Sequence, residues 1–346
     1  MARRMRRRRT RKEQKKRFQR FITGLLIVLV GGLAYHYWPT PEGGSIAKNP
    51  EPRPKSKRRG GTGQTIIPLS RSEKRDISPA TPKPKPELPS SGIRWLQVGE
   101  EAFTNKHLVK ARSAISKAID AGLEESAYAH ARALINLINK DLVFSPAVHK
   151  GDPISTRYVV KAGQTLAKIA KQWNIPYELL LRVNRIADPR RLQIGQTIKV
   201  VKGPFHVWVD KNRFFLAVMS QPSADGPNLY IKFYRVGLGE HGSTPTGLWQ
   251  VRPESKLKNP TWFDTRGGRV VAADDPQNPL GERWIGFDGI SGQAKGQSGY
   301  GIHGTIEPET IGKNASQGCI RLLPADVEEL YDLLVEKKST VQIVSR

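Results

Sequence analysis

The sequence predicts a multidomain protein: a single N-terminal transmembrane helix, a disordered linker, a small helical segment, a small βααβ module and a mainly-β C-terminal domain. Three observations support this order. An uncharged run follows a basic N-terminus, a stretch rich in proline and lysine comes next, and the period of the apolar residues then changes from helical to strand-like. The predicted boundaries are 1–20 for the basic tail, 21–38 for the transmembrane anchor, 39–92 for the linker, 93–145 for the helical segment, 157–201 for the βααβ module and 203–346 for the C-terminal domain.

The predicted anchor follows a strongly basic tail. Residues 1–20 hold 12 Lys or Arg and one acidic residue, whereas residues 21–38 carry no charge. As a helix this run spans about 27 Å, close to the ~30 Å of a bilayer core. The basic tail predicts a cytoplasmic N-terminus. A cleaved signal peptide is the alternative, but no small-x-small site precedes Pro39. We therefore expect a single-pass cell-membrane protein whose later domains lie outside the cytoplasm.

Most of the positive charge belongs to the N-terminal extension. Residues 1–92 hold 23 Lys or Arg and six acidic residues, which is +17 of the net charge of +26. Basic residues of this kind do not form a folded, aromatic-lined face, so we expect no nucleic-acid partner. Residues 39–92 also contain 11 of the 25 prolines. This composition predicts a disordered linker that holds the following domains away from the membrane.

The segment 93–145 shows apolar residues at helical spacing, with Gly122 as a break between helices. Trp95, Val98 and Gly99, followed by Ala111 and Ala118, resemble one degenerate tetratricopeptide unit. A single such unit rarely folds alone, because stacked neighbours normally bury its apolar face. A helical spacer and a module that binds a protein partner both remain open.

Residues 157–201 resemble a LysM module, which has a βααβ fold. The residues that carry the resemblance are Tyr158–Leu166, Ile169, Ala170, Ile175, Pro176, Leu180, Asn184, Ile186, Asp188, Pro189, Leu192, Ile194–Gln196 and Ile198. The pattern predicts a strand, a helix capped by Thr165, a second helix from Pro176, a turn at Asp188-Pro189 and a strand over 197–201. The resemblance implies binding to glycan that contains N-acetylglucosamine.

Strand-like alternation begins after Phe205. We expect strands over 206–209, 213–218 and 229–236, and such short, closely spaced strands are typical of a sandwich or barrel-like domain. Only 325–335 has a clear helical pattern.

Cys319 is the only cysteine of the chain. A thiol attacks carbonyl groups as the thiolate, so a nucleophilic cysteine needs a nearby base, and His303 is the candidate. Considered alone, Cys319 could equally be a small buried apolar residue and His303 a core histidine. No metal-ligand spacing links His303 and Cys319 with His206 or His241, so we expect no metal and no cofactor.

The runs Gly301-Ile302-His303-Gly304-Thr305 and Ser316-Gln317-Gly318-Cys319-Ile320-Arg321 resemble the active-site motif of the YkuD-type L,D-transpeptidases. Thr244-Pro245-Thr246-Gly247 and Asn278-Pro279-Leu280-Gly281, which leads to Trp284, match as well. The resemblance covers residues 203–346. It implies a mainly-β catalytic domain that acts on peptidoglycan stem peptides through a cysteine acyl-enzyme.

The resemblance also implies the role of each residue. Cys319 is the nucleophile and His303 its general base, while Gly318 belongs to the oxyanion site, where the Gly318 and Cys319 N–H groups could stabilise the charge. Arg321 binds substrate or braces the motif. Ser316, Gly304 and Gln317 complete the expected oxyanion and substrate-binding set, and many members of the family have His where this chain has Gln317.

A third group should orient His303, and the motif offers no carboxylate beside it. We expect a backbone carbonyl near Gly304, with Asp264, Asp274 and Asp288 as the remaining alternatives.

Two questions stay open at this point. An L,D-carboxypeptidase would use the same acyl-enzyme, with water in place of an amine. A non-catalytic protein that connects the membrane to the wall would need the anchor, the linker and the LysM module but neither Cys319 nor His303.

Overall fold

The computed structural model describes residues 90–221, 227–264 and 267–345. The basic tail, the predicted anchor and almost all of the predicted linker lie outside these ranges. Within them, no helix is both long and apolar enough to cross a membrane.

Three helices open the described part of the chain, and the predicted helical segment is confirmed. They are α1 (Ser91–Thr104), α2 (Leu108–Asp120) and α3 (Glu125–Leu142). Gly122 lies between α2 and α3 with a φ of 85°, so the predicted break between helices is at this glycine. A second break, between α1 and α2, occurs at Lys106, which has a φ of 60°. The sequence analysis missed this break, because Lys106 is an uncommon residue in the left-handed region.

The βααβ module is confirmed over its whole length. It consists of β1 (Ser155–Val159), α4 (Leu166–Gln172), α5 (Tyr177–Asn184) and β2 (Thr197–Val201), with β1 and β2 antiparallel. The Thr165 hydroxyl caps α4 by accepting a hydrogen bond from the Lys168 N–H at 3.3 Å. A 3-10 turn over Pro189–Arg191, capped by Asp188, stands where the sequence predicts a turn.

The C-terminal domain is mainly β, as predicted. Its strands are β3 (Phe205–Asp210), β4 (Phe215–Ser220), β5 (Leu229–Arg235), β6 (Leu238–Gly239), β7 (Gly247–Lys258), β8 (Trp262–Phe263), β9 (Val270–Val271), β10 (Arg283–Gly292), β11 (Tyr300–His303), β12 (Asn314–Ser316), β13 (Ile320–Arg321) and β14 (Thr340–Val344). Eight of them form one open mixed sheet in the order β13-β11-β10-β7-β14-β3-β4-β5. Helix α6 (Pro324–Tyr331) ends at residue 331, four residues earlier than the predicted helix over 325–335.

The helical segment covers one edge of this sheet. The Asn136 amide on α3 donates to the Phe233 carbonyl at 3.0 Å and accepts from the Phe233 N–H at 2.7 Å, as a neighbouring strand would. Asn139 donates to the Tyr230 carbonyl at 3.0 Å, and the Ser116 hydroxyl accepts from the Tyr230 N–H at 3.2 Å. The backbone groups of Tyr230 and Phe233 at the edge of β5 therefore have partners, which hinders the pairing of this edge with another chain.

An Asn136→Ala substitution should lower the free energy of unfolding by about 1–2 kcal/mol, since it leaves two half-buried backbone groups of β5 without partners. Urea unfolding of the purified chain measures this change. Lys140→Ala, at an exposed position of the same helix, should change it by less than about 0.5 kcal/mol. Equal effects of the two substitutions would mean that Asn136 contributes no edge pairing.

The LysM module also packs against its neighbours, although it is an autonomous fold by sequence. Arg182 on α5 donates to the Asp332 carboxylate at 2.7 and 2.6 Å through Nε and Nη2. On the other side, the Lys199 ammonium donates to the carbonyls of Leu142, Ser145 and Ala147 at 2.7, 2.9 and 2.7 Å. The helices, the LysM module and the sheet therefore form one packed unit.

Candidate active site

Sheet topology brings the two predicted catalytic residues together. His303 ends β11, and Cys319 comes directly before β13, which runs parallel to β11 with Ile302 opposite Ile320. Continued by one residue, this register puts Cys319 beside Gly301, two residues before His303, and residues two apart on a strand face the same side of the sheet. His303 and Cys319 consequently line one pocket of about 430 Å³.

The His303 ring is held from two sides. Its Nδ1 lies 2.6 Å from the Gly304 carbonyl oxygen. A carbonyl can only accept, so in the neutral ring Nδ1 carries the proton and Nε2 is free to accept one. The Trp284 ring stacks on the imidazole with centroids 5.9 Å apart and planes at 23°. A Cβ at Gly301 would come within 2.7 Å of the Trp284 ring, so this stacking requires glycine there.

The group that orients His303 is thus the Gly304 carbonyl, as the sequence analysis expects. Two of the alternative carboxylates are engaged elsewhere. Asp274 is hydrogen-bonded to Asn259, and Asp288 lies 3.9 Å from the Arg252 guanidinium.

Burial keeps both reacting groups neutral at rest. His303 is only 5% exposed, and burial lowers its pKa to about 4, while the Gly304 hydrogen bond acts in the opposite direction. Burial also raises the pKa of the Cys319 thiol, against a backbone hydrogen bond with Gly301 and the positive charge of Arg321. The pair is therefore a thiol and an imidazole at neutral pH, and proton transfer must accompany nucleophilic attack.

The loop that carries Cys319 has its own hydrogen bonds. The buried Ser316 hydroxyl donates to the Cys319 carbonyl at 2.6 Å and accepts from the Gly318 N–H at 3.1 Å. The Gly318 N–H, which the sequence analysis places at the oxyanion site, is therefore occupied. Within the part of the chain that the structure describes, the Cys319 N–H donates no hydrogen bond.

Arg321 braces a neighbouring loop. Its guanidinium donates to the Glu307 carboxylate at 2.8 Å and to the Thr310 hydroxyl at 3.3 Å. Its backbone N–H and carbonyl pair with those of Gly237, both at 2.9 Å. Arg321 also lines the pocket, and Gln317 lies exposed at its margin. The geometry thus supplies a bracing role for Arg321.

Part of the pocket lining is aromatic, which the sequence patterns did not predict. Trp262, Phe263 and Tyr300 line the pocket, and Phe263 is 66% exposed. The buried Asn278 donates to the carbonyls of Pro260 and Ala272 at 2.7 and 3.2 Å, which fixes the backbone on either side of Trp262 and Phe263. The only signal in the sequence was the adjacent pair Trp262 and Phe263, which forms the whole of β8. A strand of two residues is too short to show a periodicity.

Comparison with known proteins identifies the two domains. The YkuD profile, described as the L,D-transpeptidase catalytic domain, matches residues 204–343, and the LysM domain profile matches residues 158–201.

YqjB of Bacillus subtilis strain 168 is 36% identical over 135 residues, which cover 38% of this chain and 67% of YqjB. YkuD of the same strain is 30% identical over 185 residues, which cover 51% of this chain and 92% of YkuD. YkuD of Bacillus licheniformis is 26% identical over 185 residues, with the same shares of 51% and 92%. All three are named as L,D-transpeptidases. This chain therefore belongs to the YkuD family of L,D-transpeptidases.

Proposed function

We propose that this protein is a peptidoglycan L,D-transpeptidase that links stem peptides through an acyl-enzyme on Cys319. One observation carries the proposal. His303 and Cys319 line the same pocket, and the Gly304 carbonyl holds the His303 ring in the tautomer whose Nε2 can accept the thiol proton.

The reaction has two steps. His303 Nε2 takes the thiol proton while Cys319 Sγ attacks the carbonyl at the L-centre of a diamino acid, which the family resemblance suggests is meso-diaminopimelate. The tetrahedral intermediate then collapses, and the departing amine of the terminal D-alanine takes the proton from the imidazolium. In the second step an amine of another stem peptide, or of an anchored protein, attacks the thioester. His303 takes the proton that this amine loses and returns it to the departing Cys319 thiolate.

The pocket suits a peptide with an anionic end. Trp262, Phe263 and Trp284 offer apolar surface, and Arg321 is the one permanently charged side chain among the described residues that line the pocket. Much of its charge is already directed to Glu307, so we expect it to attract a carboxylate at longer range.

The LysM module would keep this pocket near its substrate. We expect it to bind glycan that contains N-acetylglucosamine, from which the stem peptides project. Because Arg182 and Asp332 join the module to the catalytic domain, the glycan would be held at a fixed distance from the pocket. This raises the local concentration of stems without any new contact at the thiol.

The experiment that tests the function is incubation of residues 39–346 with polymeric peptidoglycan bearing tetrapeptide stems, followed by chromatography and mass spectrometry of the digested products. We expect dimers linked between diamino-acid residues, because a positioned amine can reach an effective molarity of about 10⁵ M, far above that of water. Small soluble muropeptides should give a larger hydrolysed fraction. Only shortened tripeptide stems with both substrates would identify a carboxypeptidase, and unchanged stems would favour a non-catalytic binder.

The cellular location is a separate proposal. The uncharged run 21–38 behind the basic tail supports a single-pass membrane anchor with a cytoplasmic N-terminus and an extracytoplasmic catalytic domain. A C-terminal reporter that is active only outside the cytoplasm, on a membrane-bound protein that retains residues 1–20, would agree with it. A soluble form that begins near Pro39 would contradict it.

A protein partner at 93–145 stays a prediction. A groove on the helices indicates which kind of protein segment this partner would offer. A groove of about 640 Å³ is lined by Trp95 and by the lysines Lys106, Lys110, Lys117 and Lys150, and no acidic side chain lines it in the described ranges. We therefore expect an acidic protein segment with an apolar anchor. Its binding should weaken with salt and with Lys110→Glu.

A further inference from the structure

Thr244 lies buried beneath the loop that carries Cys319. It is 1% exposed and follows the short 3-10 turn Glu240–Gly242. Its hydroxyl donates to the Gly318 carbonyl at 2.9 Å and accepts from the Gly239 N–H at 2.8 Å. The side chain thus connects the backbone of β6 to the backbone of the catalytic loop.

The first of these bonds fixes the orientation of one peptide group. A trans peptide is planar, so its N–H points opposite to its C=O. With the Gly318 carbonyl held by Thr244, the Cys319 N–H must point away from Thr244. The adjoining backbone adopts an unusual conformation, with a Gly318 φ of 134°, where a Cβ would come within 2.9 Å of the Ser243 carbonyl oxygen. Glycine is needed here, but glycine alone leaves the peptide free to rotate.

The orientation matters because two N–H groups were expected at the oxyanion site, those of Gly318 and Cys319. The Gly318 N–H already donates to Ser316, so of these two the Cys319 N–H is the remaining donor. If the peptide rotated, the Gly318 carbonyl oxygen would take the place of this donor, and its partial negative charge would repel a developing oxyanion.

We propose that Thr244 is a positioning residue, which holds the Gly318–Cys319 peptide so that the Cys319 N–H stabilises the oxyanion formed when Sγ attacks the substrate carbonyl. The inference rests on the proposed acyl transfer. Thr244 itself does not line the pocket.

A second threonine of the run Thr244-Pro245-Thr246-Gly247 provides the control. Thr246 lies two residues further on, and its hydroxyl bonds to the Gln293 side chain at 2.9 Å. Thr244→Val and Thr246→Val each replace a hydroxyl by a methyl of similar size, but only the first acts on the catalytic loop. Thr244→Ser retains the hydroxyl.

The test measures two reactions of Cys319 in the full chain. Transfer from a tetrapeptide-stem muropeptide passes through an oxyanion, whereas alkylation by iodoacetamide does not. Thr244→Val should lower kcat by about 10- to 100-fold, somewhat less than complete loss of an oxyanion donor, and should change KM little. Its rate of alkylation should stay within about threefold of the wild type. Thr244→Ser should recover kcat to within about threefold, and Thr246→Val should match the wild type in both reactions.

Other outcomes overturn the inference. If Thr244→Val lowers alkylation as much as transfer, the side chain only maintains the general structure of the loop. If it lowers neither, the hydroxyl does not orient the peptide. Should Thr244→Val fail to fold, as its melting temperature would show, Thr244→Ala offers the same comparison without a new methyl against the Gly239 N–H. If the wild type is alkylated but transfers nothing, the proposed function fails, and the wild-type measurement separates that failure from one of Thr244.

Discussion

A Cys319→Ala variant should lose transfer activity by at least about 10⁴-fold, because removing the nucleophile of a covalent mechanism leaves only binding and oxyanion stabilisation. The wild-type chain, exposed to a carbapenem, should show a single covalent adduct by mass spectrometry. That adduct must lie on Cys319 if it is a thioester, since the sequence holds no other cysteine. The Ala variant should show none.

The control for this variant is its fold and its glycan binding. Cys319 is small and only partly buried, so the alanine variant should melt within a few degrees of the wild type. It should also bind isolated peptidoglycan as well as the wild type, since the LysM module does not contact the thiol. Residual transfer above about one per cent in the variant would rule out Cys319 as the nucleophile.

The second large effect concerns His303 and pH. Because burial lowers the pKa of His303 to about 4, its base form persists to far lower pH than that of an exposed imidazole. We expect kcat/KM to fall with acid near pH 4 and not near pH 6.5. His303→Gln should remove at least about 10³-fold of the activity at neutral pH. His206→Gln is the control, because His206 is a partly buried histidine of the same domain that bonds to Thr340 and does not line the pocket.

The same pKa has a consequence for stability. Above pH 6.5 His303 is neutral in the folded and unfolded chain, so its contribution is fully present. As the pH falls from 6.5 toward 4, His303 becomes protonated in the unfolded chain but stays neutral in the folded chain, so the folded state loses stability. The loss attributable to His303 is about 3 kcal/mol at most. Urea unfolding of the wild type and of His303→Gln across this range should show a shallower decline for the variant, and parallel curves would contradict the low pKa.

Much of the secondary structure follows from short-range patterns. The strand over 197–201 and the Thr165 cap of the LysM module were predictable because alternation and capping depend on neighbours in the sequence. The candidate catalytic residues His303 and Cys319 were identified differently, through the resemblance of their two short motifs to those of the YkuD-type L,D-transpeptidases. The Gly304 carbonyl belongs to the residue that follows His303, so its contact with the ring could also be predicted from the sequence.

The tertiary structure decided the rest. By sequence, the Gly318 N–H was an equal candidate for the oxyanion site, but the folded loop gives it to the Ser316 hydroxyl. The aromatic lining at Trp262 and the pairing of Asn136 with Phe233 depend on which strands become neighbours. Sequence periodicity indicates which face of a strand is buried but carries no information about which partner covers its edge. The sequence by itself therefore determined most elements and the candidate catalytic residues of this protein, whereas the tertiary structure decided which backbone groups remain free of hydrogen bonds, because that depends on which segments become neighbours.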